Sequence, residues 1–198
     1  MNTASAPTLS VLDAIRQRHA VRTYTATPLA PGAVQTLLDA AIRAPTAMHE
    51  EPWEFLVIRD KDVLSLLGQR AKATLARAGR GAATPEMARL HDAFADPQFD
   101  IFYGAPALIV VGSLQTGGFV EADCWLAAEN LLLCACSLGL GSCVIGLAVA
   151  ALNDARTKAD LGIPAGFHAV APIVVGVPAP GAASAPTARK PPHVLLWK

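Results

Sequence analysis

The sequence predicts an α+β fold, a small mixed sheet packed among helices, in a single domain covering residues 1–198. Three observations predict it. Between Phe119 and Leu138, apolar side chains occupy nearly the whole circumference at a helical period, which marks a helix buried on most sides. Two short apolar runs, ALIVV (107–111) and AVAPIVVGV (169–177), read as strands. Helical stretches separate these runs and the strands are few.

The elements follow in chain order. Ser10 reads as an N-cap, with Asp13 in the capping-box position, and opens a helix over 11–18 that carries Val11, Leu12 and Ile15 on one face. That helix runs into a crowded basic stretch, RQRHAVRTY (16–24). Pro28 and Pro31 break the chain, and Pro31 suits the first turn of a second helix over 32–43. APTAMHEEPW (44–53) is bracketed by Pro45 and Pro52 and must be a loop. EFLVI (54–58) is a strand, 61–78 a third helix ended by the glycines at 79–81, and a short helix is expected at 86–94.

Gly117 and Gly118 lead into the long helix of 119–138, where Asp123, Asn130 and Ser137 fall seven apart on one narrow stripe. Its length would cross a bilayer. Asp123, Glu129 and Asn130 near its middle argue against a membrane span, because polar groups in hydrocarbon are costly. It is therefore expected to be a central helix, wrapped by its own domain and by a second subunit. Residues 142–149 read as a strand or extended turn, and 152–161 as a small helix closed by Gly162 and Pro164. Pro172 places the strand of 169–177 at an edge or a bulge. Residues 178–192, rich in Pro, Ala and Gly, read as an extended arm, and the apolar VLLW (194–197) beyond it needs a surface to dock on.

Composition narrows the function classes. Sixteen Lys and Arg balance sixteen Asp and Glu, and no basic run exceeds two residues, so neither nucleic acid nor an anionic membrane is expected as a partner. At 53% hydrophobic and 16% charged, the chain carries spare apolar surface, which points to oligomerisation. Residues 1–7 lack the basic and apolar regions of a signal peptide. Cys124, Cys134, Cys136 and Cys143 form no CxxC pair, and Cys134 and Cys136 point to different sides of one helix. Buried free thiols in a reducing cytoplasm are expected, and no metal site.

GLGSCV (139–144) nearly matches a dinucleotide fingerprint, but Val144 stands at the last glycine position and the stretch follows a helix, so a Rossmann site is rejected. No P-loop, zincin motif or nucleophile elbow occurs, and the cysteines read as small fillers rather than nucleophiles. What remains is positive charge: Arg18 and Arg22 near one end, Arg189 and Lys190 near the other. Guanidinium groups grip phosphate bidentately, although spacing alone also admits four solvated surface charges.

The segments RQRHAVRTY, APTAMHEEPWEFLVI, FYGAPALIVVG, ADCWLAAENLLLCACSLGLGSCVIG, LGIPAGF, VVGVP and RKP occur in the order seen in the FMN-dependent nitroreductase family, which the chain resembles over nearly its whole length. The resemblance implies a homodimer with two FMN molecules at the subunit interface, each held by residues of both subunits. It implies a ping-pong oxidoreductase that takes a hydride from NADH or NADPH and reduces a small-molecule acceptor such as a nitroaromatic or quinone. A specialised flavoenzyme of the same family, such as a dehalogenase or a dedicated oxidase, or a non-catalytic flavin-binding protein, is the alternative.

By the same resemblance, Arg18, His19 and Ala20 match the segment that holds the FMN phosphate and ribityl chain, Ala20 lacking a hydroxyl that relatives often supply. Arg22 matches a basic residue at the flavin pyrimidine edge, where negative charge gathers on reduction. Pro45, Thr46, Ala47 and His49 match a loop that reaches the partner's flavin, with His49 and Glu51 standing where Asn and Gln are common. Cys143, Val144, Ile145 and Gly146 match the turn along one isoalloxazine face, Arg189 and Lys190 a C-terminal phosphate-binding pair, and Asp123 a position near the site. No catalytic side chain is implied, because the flavin carries the chemistry.

Overall fold

Four strands make the sheet: β1 Trp53–Ile58, β2 Ala107–Ser113, β3 Gly141–Val144 and β4 His168–Gly176, in the order β1-β2-β4-β3. The computed structural model describes residues 9–78, 96, 98–182 and 188–198. The expectations for 1–7, 79–81 and 86–94, and the part of the arm at 183–187, lie outside the described residues. The strand pairs are antiparallel, and a parallel bridge from Ala20 to Ser142 makes the pairing mixed.

Every residue of β2 is buried, because helices cover both faces of the sheet. Side chains alternate along a strand, so Ala107, Ile109 and Val111 enter one core while Leu108 and Val110 enter the other. The first core is closed by α2 (Ala33–Ala41) and α4 (Val120–Ser137), through Leu37, Ala41, Leu131 and Ala135. The second is closed by α3 (Lys61–Ala78) and α5 (Val149–Leu152), through Leu64, Leu67 and Leu152.

Pro172 lies not at an edge but in β4, an interior strand. The ladder accommodates it for a local reason. Ile145 N–H donates to the Pro172 carbonyl at 2.8 Å, one residue past the last β3 pair, Val144 with Ile173. A residue's N–H and C=O point to the same neighbour in a strand, so the donor that proline lacks would face the end of β3, where the ladder stops. The expected bulge is present nearby. The register with β2 shifts between Val111 and Gly112, leaving Val170 as the extra residue, and Val170 and Ala171 both enter the first core. At this crossing a Cβ on Gly112 would lie 2.3 Å from the His168 carbonyl oxygen, so only glycine fits.

Helix α1 (Val11–Gln17) begins as expected: Asp13 N–H donates to Ser10 Oγ at 3.2 Å. The strand expected over 142–149 is shorter, since β3 ends at Val144 and a turn of 3-10 helix, Gly146–Ala148, runs into α5. The small helix expected over 152–161 starts later, as α6 (Ala155–Leu161), and Leu152 instead ends α5. Asp154 separates them, because it caps α6 in an extended conformation and accepts from Thr157 N–H at 3.0 Å.

One side of α4 is buried, from Asp123 to Ala135, while Trp125 and Leu126 on the other side are 42% and 45% exposed. Its polar stripe is fully used. Asp123 accepts from Ala47 N–H, Asn130 Nδ2 donates to the Ala40 carbonyl at 3.2 Å, and Ser137 Oγ donates to the Cys134 carbonyl. Among the described residues no helix is long and apolar enough to cross a membrane. All four cysteines are free. Beyond residue 187 the chain has no helix or strand, and Leu195 and Trp197 are each 88% exposed.

Candidate active site

The basic segment is laid against the sheet by two short contacts. Arg18 ends α1, its N–H donating to the Ala14 carbonyl, and the chain then runs parallel to β3. Val21 N–H donates to the Ser142 carbonyl at 3.0 Å. Gly141 permits this approach, since a Cβ there would meet the Val21 side chain at 2.8 Å. In consequence the segment of Arg18, His19, Ala20 and Arg22 meets β3 at Ser142, with Cys143 within electrostatic reach of both Arg22 and Arg18, more than a hundred residues away in the chain.

Each of these side chains has a defined electrostatic setting. Arg18 Nε lies 3.6 Å from Glu129 Oε1 on α4, which orients the guanidinium, and no other ion pair of Arg18 occurs among the described residues. His19 Nδ1 lies 2.8 Å from the Gln17 carbonyl oxygen. A carbonyl can only accept, so Nδ1 carries the proton and Nε2 of the neutral ring is an acceptor. That Nε2 is buried and has no hydrogen-bond partner among the described residues. Arg22 is exposed and lies close enough to Cys143, Tyr24 and Tyr103 to influence all three. Burial pushes the Cys143 thiol above its ordinary value, against the pull of Arg22 and then Arg18, so it stays a thiol at neutral pH. Burial also raises the Tyr103 phenol, opposed first by Arg22.

The loop between α2 and β1 meets a different part of α4. Ala47 N–H donates to both oxygens of buried Asp123, at 3.2 and 3.3 Å. Met48, His49 and Glu51 hold left-handed backbone, with φ of 56°, 57° and 45°, although none is glycine. Asp123 and Glu129 are six residues apart, about 9 Å along the helix axis. Among the described residues no hydrogen bond or ion pair joins the group of Pro45, Thr46, Ala47 and His49 to the basic segment. Arg189 and Lys190 are exposed on the C-terminal stretch, and no ion pair among the described residues ties them to Arg18.

Sequence reasoning overlooked Glu129, Gly141, Ser142 and Tyr103, all of which shape this region. Only Gly141 carried a signal, as the second glycine of the GLG turn. A cavity of about 440 Å³ lies elsewhere, between α3 and the 98–105 segment, and no predicted site residue lines it. Among the described residues no group of three or more His, Cys, Asp or Glu side chains is arranged to hold a metal.

The family model described as "Nitroreductase family" matches residues 15–177, which include both the basic segment and the whole sheet. The chain belongs to the nitroreductase family. A nitroreductase of Bacteroides fragilis, solved with bound FMN, superposes with a TM-score of 0.83 at 26% identity, over 96% of this chain and 100% of that one. An NADH dehydrogenase of Thermus thermophilus is 27% identical over 98% of this chain and 99% of its own length. A Methanothermobacter thermautotrophicus protein, provisionally described as an NADH dehydrogenase/NAD(P)H nitroreductase, is 31% identical over 143 residues. That match takes in 70% of this chain and spans 62% of the relative's length. The α+β nitroreductase fold is thus the one the sequence predicts.

Proposed function

We propose that this nitroreductase-family chain acts as a cytoplasmic homodimeric oxidoreductase with FMN bound at each subunit interface. Electrons come from NADH or NADPH and pass to a small electron-poor acceptor such as a nitroaromatic or quinone. The observation that carries the reading is the basic segment that meets β3 at Ser142, with its buried His19 Nε2, unpartnered among the described residues. A neutral acceptor nitrogen suits a hydroxyl donor, and flanking guanidinium groups suit a phosphate. The residues present therefore fit a ribityl phosphate chain.

Bound FMN supplies hydride acceptance and donation. The chain supplies binding and charge. Arg18, with Arg189 and Lys190 from the C-terminal stretch, holds the phosphate, and His19 accepts from a ribityl hydroxyl. Ala20 adds only backbone. Arg22 places positive charge at the pyrimidine edge, stabilising the reduced cofactor. The backbone of Cys143, Val144, Ile145 and Gly146 walls one ring face, and the loop of Pro45, Thr46, Ala47 and His49 completes the site across the interface. Exposed apolar side chains on α1 and α4, Val11, Leu12, Trp125 and Leu126 among them, support a partner subunit. Four free cysteines support a reducing compartment.

Purified protein should be yellow, release FMN rather than FAD on heating, and oxidise NADPH or NADH in the presence of menadione or a nitrofuran. Colourless protein that takes up no added FMN overturns the proposal. Bound flavin that neither nicotinamide reduces overturns the electron donor.

A further inference from the structure

The strained loop after α2 takes one of its holds from a buried group in a distant part of the chain, Asp123. Ala47 opens the 3-10 turn Ala47–His49, and Glu50 N–H closes it by donating to the Ala47 carbonyl at 3.2 Å. Inside the turn Met48 and His49, and just beyond it Glu51, hold left-handed backbone. Met48 is 85% exposed, so its own side chain does not fix that conformation. Strained backbone persists only where its surroundings over-determine it. On the β1 side, the loop is held by buried Pro52 and Trp53. On the α2 side, α4 holds it twice: Asn130 Nδ2 binds the Ala40 carbonyl, and seven residues earlier Asp123 binds Ala47 N–H.

The Asp123 bond differs from the other because both oxygens of one buried side chain share it. The residue is 4% exposed, and the Ala47 N–H is the donor that both carboxylate oxygens share. Sequence resemblance put Asp123 beside the cofactor. The geometry points to Asp123 as a positioning residue, which sets the conformation of the Ala47–His49 turn and so the placement of His49. Both of its oxygens take part in the bond to the loop backbone, which ties the turn to α4. The functional part of this inference rests on the reading that the loop contacts flavin; the anchoring part does not.

Hydrogen exchange on the full-length protein without flavin tests the anchor. Asp123→Ala should speed exchange of the Ala47 and Glu50 amides by about tenfold or more, while β2 keeps its protection. Asp123→Asn retains one acceptor oxygen and should release them less. Adding Met48→Gly to Asp123→Ala should restore part of the protection, because glycine carries no penalty at positive φ. In FMN titrations, affinity should follow the same order, weakened about tenfold in Asp123→Ala and partly regained in the double variant. Unchanged exchange at Ala47 in Asp123→Ala overturns the anchor. Equal loss of FMN affinity in the Asn and Ala variants, with loop protection intact, overturns positioning in favour of direct contact. If Asp123→Ala fails to fold, Asp123→Asn decides alone: partial release supports the anchor and wild-type exchange overturns it. A wild-type protein that binds no FMN sinks the proposed function, while the exchange result still stands for or against the anchor.

Discussion

Helices α1 and α4 pack side by side and both carry apolar stripes, yet they spend them differently. Helix α4 buries Cys124, Ala127, Ala128, Leu131, Leu132 and Ala135 against its own sheet and α2. Helix α1 buries Ala14 alone and turns Val11, Leu12 and Ile15 outward, at 71%, 62% and 53% exposure. Helical periodicity reports that a face will be covered, not whether the cover comes from the same chain. Inside α4 the two outcomes coexist, since Trp125 and Leu126 share the outward side with Glu129.

Three experiments break or sharpen this contrast. The largest effect belongs to the inward face. Leu131 is fully buried, so Leu131→Ala should cost about 2–5 kcal/mol of stability in a denaturant melt, from lost transfer energy and a residual cavity. A loss below about 1 kcal/mol would mean that the core behind α4 collapses freely. The outward face should respond in association instead. Trp125→Arg should leave the melt of the separated subunit nearly unchanged but shift the species in analytical ultracentrifugation from dimer towards monomer at micromolar concentration. Wild-type protein sedimenting as a monomer would show that the outward stripe is simply exposed.

The smallest effect lies on α6, a helix closed by its own cap. The Thr157 backbone N–H holds the Asp154 carboxyl below its ordinary value of 3.8, followed by opposing desolvation and by the Thr157 hydroxyl. A depressed folded value means that the cap's contribution is complete above the unfolded value and is lost as pH falls through the lower folded one. The Thr157 amide resonance should therefore titrate at more acidic pH than an unstructured aspartate. A midpoint at or above the ordinary value would remove the cap from the account.

Local signals were legible where residues act on their neighbours. Ser10 capping α1, Gly162 closing α6 in left-handed conformation and the alternation of β2 all follow from adjacent residues. The ordered segments were enough to predict the fold and its family. The rest depends on partners remote in sequence. Asp123 meets Ala47 across 76 positions, and nothing in either segment names the other. Pro172 predicts an edge or a bulge, and the bulge lies nearby in an interior strand, where the proline's tolerance depends on where β3 stops. The start of α6 at Ala155 rather than Leu152 depends on Asp154 acting as its cap, through the bond that its side chain accepts from Thr157 N–H.

That proline has a consequence for where the sheet ends. The pair of Ile145 and Pro172 is the last rung of the ladder and carries one bond where an ordinary rung carries two, since Pro172 has nothing to donate to the Ile145 carbonyl. Half a rung does not hold a strand, and at Ile145 the chain leaves the sheet (φ −108°, ψ 71°) to form the exposed turn at Gly146. The turn after β3 thus begins where a hydrogen atom is missing from the neighbouring strand, and no side chain of the turn is needed to explain it. Any other residue at position 172 would return the amide and let β3 pair one residue further.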